Sequence, residues 1–384
     1  MPSTYFRHSA FPYDLVNSRY RLMKERVFNF AAGPSVLPLE VLEKARDELV
    51  SYGDSGMSVM EMTHRGKDFA GIFRKAKSLF REVLSVPDTH EILFLQGGAT
   101  LQFASIPMNL LRGGTADYAV TGVFSGKAAR EAEKYGKVNL ACDMSASGFD
   151  RIPDQRDLET SEDASYFYYC ANNTIYGTEW HYVPEVSSAL VCDMSSDILS
   201  CPVDVSRYGL IYAGAQKNIA PAGLTVVVID RALAGRHLDI TPEVMRYDAL
   251  IKNDSMLNTP PCWCIYMLTL ELEWLKRQGG VTAMDELRRV RSGIIYDVLD
   301  NSGFYISKVE PGSRSFMNVT FRTPSAELDS RFVSEAEREG LVNLMGHRTT
   351  GGIRASLYNA MPPEGAAALA DYMKRFEAQN RCFR

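Results

Sequence analysis

The amino-acid sequence predicts an α/β protein. A large domain with a mainly parallel, mixed sheet is covered by helices, and a smaller α+β domain stands at the C-terminal end. Three observations carry this expectation. From about residue 38 to residue 262, amphipathic helical stretches alternate with short apolar runs of strand length. Several of those runs show little polar alternation, as in strands with both faces covered. After residue 262 the pattern changes to long helices followed by a few strand-like pieces.

Residues 1–23 mix aromatics and arginines with no helical period and no apolar signal-peptide core. They are read as an N-terminal extension outside the fold, expected to be flexible; a short targeting segment is the alternative. PLEVLEKARDELVSY (38–52) begins with proline and carries apolar residues at helical spacing, so it predicts a helix. KDFAGIFRKAKSLFREVL (67–84) predicts a second. Strands are expected at 91–95, 116–120, 165–171, 188–193, 209–214 and 223–229, which are rich in β-branched and aromatic residues, with helical sequence at 124–136. Beyond them, 264–280 and 281–303 read as long helices, 316–323, 341–345 and 352–358 as strand-like pieces, and 364–379 as a closing helix.

The chain has 384 residues, 46% of them hydrophobic and 23% charged, which are ordinary globular values and leave room for two domains. A net charge of -5 argues against nucleic acid as a partner. No apolar run is long enough to span a membrane. Seven cysteines with no CxxC pair, three of them (Cys142, Cys170, Cys192) in apolar strand-like runs, predict a reduced, cytoplasmic protein with free buried thiols.

Within LIYAGAQKNIAPAGLTVVVI (210–229), Lys217 stands alone between two apolar runs, among small residues. A buried lysine is costly unless paired, neutral or covalently used. The ordinary reading is a strand-end lysine whose head reaches water. Asp193 ends another apolar run 24 residues upstream, at the strand end where α/β folds place ligands; by itself it reads equally as a loop or capping residue. EILFLQGGAT (91–100) reads as strand, Gly-Gly turn and helix start, so the amides of Ala99 and Thr100 form a candidate phosphate cradle. A lysine, an acid and an anion cradle are together what pyridoxal phosphate requires.

FNFAAGPSVLP (28–38), SVMEMTHRGKDF (58–69), YAGAQKNIAPAGLT (213–225), NTPP (258–261) and GHRTTGGIRASLYNAM (346–361) extend the pattern. With these motifs the chain resembles the phosphoserine aminotransferases, pyridoxal-phosphate enzymes of the fold-type I, class V group, from about residue 24 to the C-terminus. The resemblance implies a large cofactor-binding domain at 38–275 and a small domain made of 24–37 and 276–384. It implies Lys217 as the residue covalently joined to the cofactor, Asp193 against the pyridine nitrogen, Ala99, Thr100 and Gln216 at the phosphate, and Thr174 on the phenolic-oxygen side. Asn258 and Thr259 are implied to reach the phosphate of the neighbouring subunit, hence a homodimer. Phe124 falls where the family stacks an aromatic, often tryptophan, on the ring. Ala32 stands where some members have a serine near the substrate. No metal is assigned.

Two His-Arg pairs remain, His64-Arg65 and His347-Arg348, with Arg354 after a Gly-Gly. Each alone reads as surface charge. The resemblance implies Arg354 on the substrate α-carboxylate and the two pairs around its phosphate, a pocket that also takes glutamate's γ-carboxylate. Arginine's planar fork suits both anions. The implied reaction is ping-pong transfer from L-glutamate to 3-phosphohydroxypyruvate, giving 2-oxoglutarate and O-phospho-L-serine, with 4-phosphohydroxy-L-threonine as a second substrate in pyridoxine biosynthesis. Competing readings are a serine–glyoxylate aminotransferase, which needs no paired His-Arg anchors, and a cysteine desulfurase-like lyase. The lyase needs a mobile nucleophilic cysteine, and Cys382 is too near the terminus to serve. A non-enzymatic binding module is disfavoured because each cofactor position carries workable chemistry.

Overall fold

In the computed structural model, which describes residues 26–381, the apolar runs pair into one seven-stranded sheet. The predicted extension at 1–23 and Cys382 lie outside the described residues. The strands are β1 (His90–Gln96), β2 (Thr115–Val120), β3 (Lys137–Asp143), β4 (Tyr166–Cys170), β5 (Ala189–Asp193), β6 (Leu210–Gly214) and β7 (Leu224–Asp230). Their spatial order is β1-β7-β6-β5-β4-β2-β3. Only β7 runs against its neighbours. The reason is local: the β6–β7 connection holds no crossover helix, only the loop carrying Lys217, and a parallel return needs a longer crossover. The other strands therefore point the same way and end at one edge.

The helices are α1 (Leu39–Asp47), α2 (Lys67–Val83), α3 (Gln102–Leu110), α4 (Val123–Ala132), α5 (Tyr247–Lys252), α6 (Cys262–Arg277), α7 (Gly280–Asn301), α8 (Ala326–Arg338) and α9 (Pro363–Asn380). Alternate strand residues serve opposite faces of the sheet. Ile92, Phe94, Val226 and Val228 pack with Phe69, Phe73 and Phe80 of α2 and Ile265 and Leu268 of α6. Leu93, Val227, Tyr212 and Tyr168 pack with Phe103 and Ile106 of α3 and Ala128 and Ala129 of α4. Both faces are thus covered, which is why these strands read as unbroken apolar runs. β3 was not among the six expected strands. It is an edge strand in which Ala141 is the one buried residue and Leu140 is exposed, so apart from the short run around Cys142 little marks it in the sequence.

A second core gathers Ile295 and Leu299 of α7, Phe321, Phe332 of α8, Ile353 and Phe376 of α9, together with Phe30 from the other end of the chain. Phe28–Asn29 pairs in parallel with Leu341–Val342, and Asn318–Phe321 pairs antiparallel with Ile353–Ser356. The strand expected at 341–345 stops after Val342 because Asn343 turns the chain at φ 63°. Helix α8 was not anticipated, although Leu328, Phe332 and Ala336 repeat every fourth residue and Ser325 caps it by accepting from the Leu328 amide.

Polar ties join the two cores. Arg288 of α7 meets Glu179 at 2.7 Å, both buried, and Glu179 also accepts from the Phe316 amide at 2.7 Å. Arg291 is buried and donates to the carbonyls of Asn359 and Met361, both at 2.9 Å. The Asn359 amide in turn donates to Asn218 Oδ1 at 2.9 Å, next to Lys217.

Candidate active site

Topology brings five chain segments to the edge where the parallel strands end, the position at which open α/β sheets bind ligands. Residues after β1 (Ala99, Thr100), β2 (Phe124), β4 (Thr174), β5 (Asp193 itself) and β6 (Gln216, Lys217) all lie there. Lys217 Nζ donates to Thr174 Oγ1 at 2.6 Å and stands 5.5 Å from the centre of the Phe124 ring. The lysine is therefore not a head drifting in water. Gly33 lies against its stem: a β-carbon there would sit 3.1 Å from Lys217 Cγ, and its φ of +135° already requires glycine. The FNFAAGP segment thus starts in the second core and ends at the lysine, where the Ser35 amide donates to the Gln216 carbonyl at 3.0 Å and its hydroxyl to the Lys217 carbonyl.

Asp193 is buried and held on three sides. Its Oδ1 accepts from the Ser195 amide (2.9 Å) and hydroxyl (2.5 Å), and its Oδ2 accepts from Tyr212 (2.9 Å). Tyr212 is hydrogen-bonded to Tyr168 at 2.8 Å, and Ser195 Oγ also accepts from the Gly214 amide at 3.0 Å. An ionised carboxylate has about four acceptor positions. Three are taken, so the carboxylate is fixed in direction with one position left for a further N–H donor. Neither Ser195 nor Tyr212 was singled out from sequence; the only signal was the polar MSSD after the strand, an Asx-type turn.

The amides of Ala99 and Thr100 open the helical run Ala99–Leu101, where N–H groups have no partner within the helix. Gln216 lies beside them: a β-carbon on Gly214 would meet Gln216 Oε1 at 2.9 Å and the Ala99 amide at 3.3 Å. Asn258 and Thr259 are exposed at the same edge, Asn258 donating to Gln96 at 3.3 Å and Gln96 donating to the Thr259 carbonyl.

Arg354 reaches the lysine's neighbour by donating to the Thr174 carbonyl at 3.3 Å, and burial lowers its guanidinium pKa. His347 and Arg348 sit on a tight turn closed by hydrogen bonds between Gly346 and Gly352 (2.8 Å) and between Gly351 and His347 (2.7 Å). A side chain at Gly346 would strike the Gly351 carbonyl at 2.0 Å, which explains the glycines of the GHRTTGG motif. His347 Nδ1 is hydrogen-bonded to the Thr349 hydroxyl at 2.7 Å, which holds the ring in place on the turn. Burial, then the charges of Arg354, Arg348 and Lys127, hold its pKa below the ordinary value. Arg354 and Arg348 thus place positive charge around His347, which that charge disposes to its neutral form. Among the described residues no hydrogen bond or ion pair joins His64 or Arg65 to them. His64 Nε2 is buried without a partner, and Arg65 is exposed. Ala32 contributes its carbonyl, which accepts from Tyr358 at 2.9 Å.

Asp197, four residues past Asp193, was not singled out either. Its Oδ1 is buried without a partner. Burial and the nearby charges of Glu179 and Asp193 push its pKa up from 3.8 to about 8, against Arg288 and Lys217. The folded chain then holds a proton that the unfolded chain gives up, so this group's contribution to stability falls as pH rises from about 4 to about 8. Asp197→Asn is expected to raise the unfolding temperature, with a gain that grows between about pH 5 and about pH 8. Thermal unfolding of both proteins across that range checks it; a gain independent of pH would contradict the assignment.

These groups fit pyridoxal phosphate: a placed amine, a carboxylate with one open acceptor position, an aromatic ring beside the amine, and unpartnered amides for a phosphate. The arrangement defines an aminotransferase of that cofactor class, and the chain belongs to the class-V aminotransferase family, whose model matches residues 27–369. Phosphoserine aminotransferase of Bacillus cereus is 50% identical over 359 residues, 93% of this chain and 100% of that one. The structure of phosphoserine aminotransferase from Bacillus circulans subsp. alkalophilus superposes with a TM-score of 0.91 at 43% identity, over 93% of this chain and 99% of that one. The pyridoxal-phosphate-bound phosphoserine aminotransferase of Trichomonas vaginalis gives 0.86 at 38% identity, over 91% and 100%. These relatives are phosphoserine aminotransferases, and the cofactor of this chain is pyridoxal 5'-phosphate.

Proposed function

We propose that the protein is an aminotransferase that moves the amino group of L-glutamate to 3-phosphohydroxypyruvate, reversibly, giving O-phospho-L-serine and 2-oxoglutarate for serine biosynthesis. The observation that carries this reading is the pair of cations Arg348 and Arg354, acting on His347, with Arg354 beside the Lys217–Thr174 pair. Among the described residues no carboxylate forms an ion pair with any of the three. Such a group calls for an anionic ligand.

Lys217, Asp193, Thr174, Phe124, Gln216, Ala99 and Thr100 would hold the cofactor, which supplies the electron sink for charge that develops at the substrate Cα. Lys217 Nζ takes the Cα proton and returns it, with Thr174 fixing where the amine stands. Asp193, oriented by Ser195 and Tyr212, would turn its open acceptor position to the cofactor's ring nitrogen and favour a proton there. Arg354 orients the α-carboxylate through its fork. His347 and Arg348 hold the phosphate, or the γ-carboxylate of glutamate. His64 and Arg65 belong to the same pocket in this reading, and the unpartnered His64 Nε2 supports it.

The exposed Asn258 and Thr259 at the cradle's rim suit contact with a second copy, so the protein works as a homodimer with shared sites, in the cytoplasm. No helix among the described residues is long and apolar enough to cross a membrane. Two separate cores, with Phe30 in the second, support a large domain at 38–275 and a small one at 24–37 and 276–384. 4-Phosphohydroxy-L-threonine fits the same chemistry as a further substrate. A desulfurase is disfavoured because burial raises the pKa of each described thiol: Cys201 to about 11, Cys142 to about 12, and Cys170 and Cys192 well above the usual value.

Steady-state assays with 2-oxoglutarate as acceptor test the proposal. A site that turns half-buried and exposed cations without acid partners of their own toward a phosphate is expected to favour O-phospho-L-serine over L-serine by roughly 1,000-fold in kcat/KM. Comparable values for the two, or faster turnover of serine with glyoxylate, would overturn the proposal.

A further inference from the structure

Lys127 lies on α4, one turn beyond Phe124, and the sequence alone presents it as a solvated helix residue. Its ammonium stands 5.9 Å from the centre of the Phe124 ring, the same ring that Lys217 approaches to 5.5 Å. It also lies near enough to His347 to act on that imidazole alongside Arg348 and Arg354. The acidic residue one turn further along α4, Glu131, is paired instead with Lys134 at 2.7 Å. Among the described residues no carboxylate forms an ion pair with Lys127. An exposed lysine that borders the Phe124 ring and whose charge reaches His347, with no acid of its own, is placed to meet charge brought by a ligand.

The two substrates of the proposed reaction differ in that charge. A γ-carboxylate carries one negative charge and is satisfied by a planar arginine fork, whereas a phosphomonoester carries about -1.5 to -2 near neutral pH and has three acceptor oxygens. A lysine ammonium is a compact point charge suited to the additional oxygen and the additional charge. We propose that Lys127 is a further specificity-determining residue of this site, one that meets the second negative charge of the phosphorylated substrate and contributes little to glutamate. This rests on the phosphoserine reading above and deepens it.

The test is kinetic, on the holoenzyme. Lys127→Met is expected to raise KM for O-phospho-L-serine by about tenfold or more while changing kcat much less, and to change KM for L-glutamate less than about twofold. Lys127→Arg should restore most of the difference. The Lys127 ammonium makes no hydrogen bond or ion pair among the described residues, so the unfolding temperature of the methionine variant should match the parent; this reading separates lost binding from lost folding. Equal losses for both substrates, or an unchanged KM for O-phospho-L-serine in a protein that still prefers it over L-serine, would overturn the role of Lys127 alone. A parent protein with no preference for the phosphorylated amino acid would overturn the phosphoserine reading and this inference with it.

Discussion

Lys217→Ala is expected to lower amino transfer by roughly 10,000-fold or more, because the variant loses the base that moves the Cα proton as well as the amine that joins the cofactor. Little else should change. The lysine side chain makes one hydrogen bond, to Thr174, and Thr174 is held in place by its own buried position and by Arg354 on its carbonyl. The variant should fold, and cofactor should still bind through Asp193, Phe124 and the Ala99–Thr100 amides, but become removable by dialysis. Single-turnover measurements with glutamate, with cofactor content determined before and after dialysis, check both parts. Near-normal turnover would contradict the catalytic role of Lys217.

The second large effect concerns Asp193. Asp193→Asn keeps the shape and one carbonyl oxygen for Ser195 but removes the negative charge facing the ring nitrogen. Losing a preorganised electrostatic partner of this kind costs about 100- to 1,000-fold in kcat. Stability should move little in that variant. Asp193→Ala is different: it leaves the hydroxyls of Ser195 and Tyr212 buried and short of a partner, at about 1–3 kcal/mol each. Denaturant unfolding beside kcat for the two variants separates charge from scaffold. An asparagine variant with parental kcat would show that the carboxylate only supports the structure.

The parts of this molecule that were legible in its sequence are those whose signal is local. β1, β4, β5, β6 and β7 are unbroken apolar runs because helices cover both faces, and Lys217 and Asp193 were conspicuous where such runs end. The parts that escaped depend on what lies beside them. β3 is an edge strand with exposed Lys137 and Leu140, so burial never shaped its pattern. Tyr212 reads as one more apolar residue of a strand; that its hydroxyl meets Asp193 follows only from β5 and β6 being neighbours. Lys127 and His347 are far apart in the chain, and the charge of the one acts on the other only because the fold draws α4 and the GHRTTGG turn near each other. The roles of Arg354, His347, Arg348, His64 and Arg65 came from a family resemblance; Arg354 and Arg348 act on His347 through their charge, whereas among the described residues no hydrogen bond or ion pair joins His64 or Arg65 to them.

The central claim is that one site holds both pyridoxal phosphate and a pocket for a phosphorylated amino acid. It is tested most directly by titrating the purified holoenzyme with O-phospho-L-serine and then with L-serine, following the visible absorption of the bound cofactor. Conversion by O-phospho-L-serine at a concentration roughly 1,000-fold or more below that needed for L-serine is the predicted result. Conversion by both at the same concentration would contradict the phosphate pocket while leaving the cofactor in place.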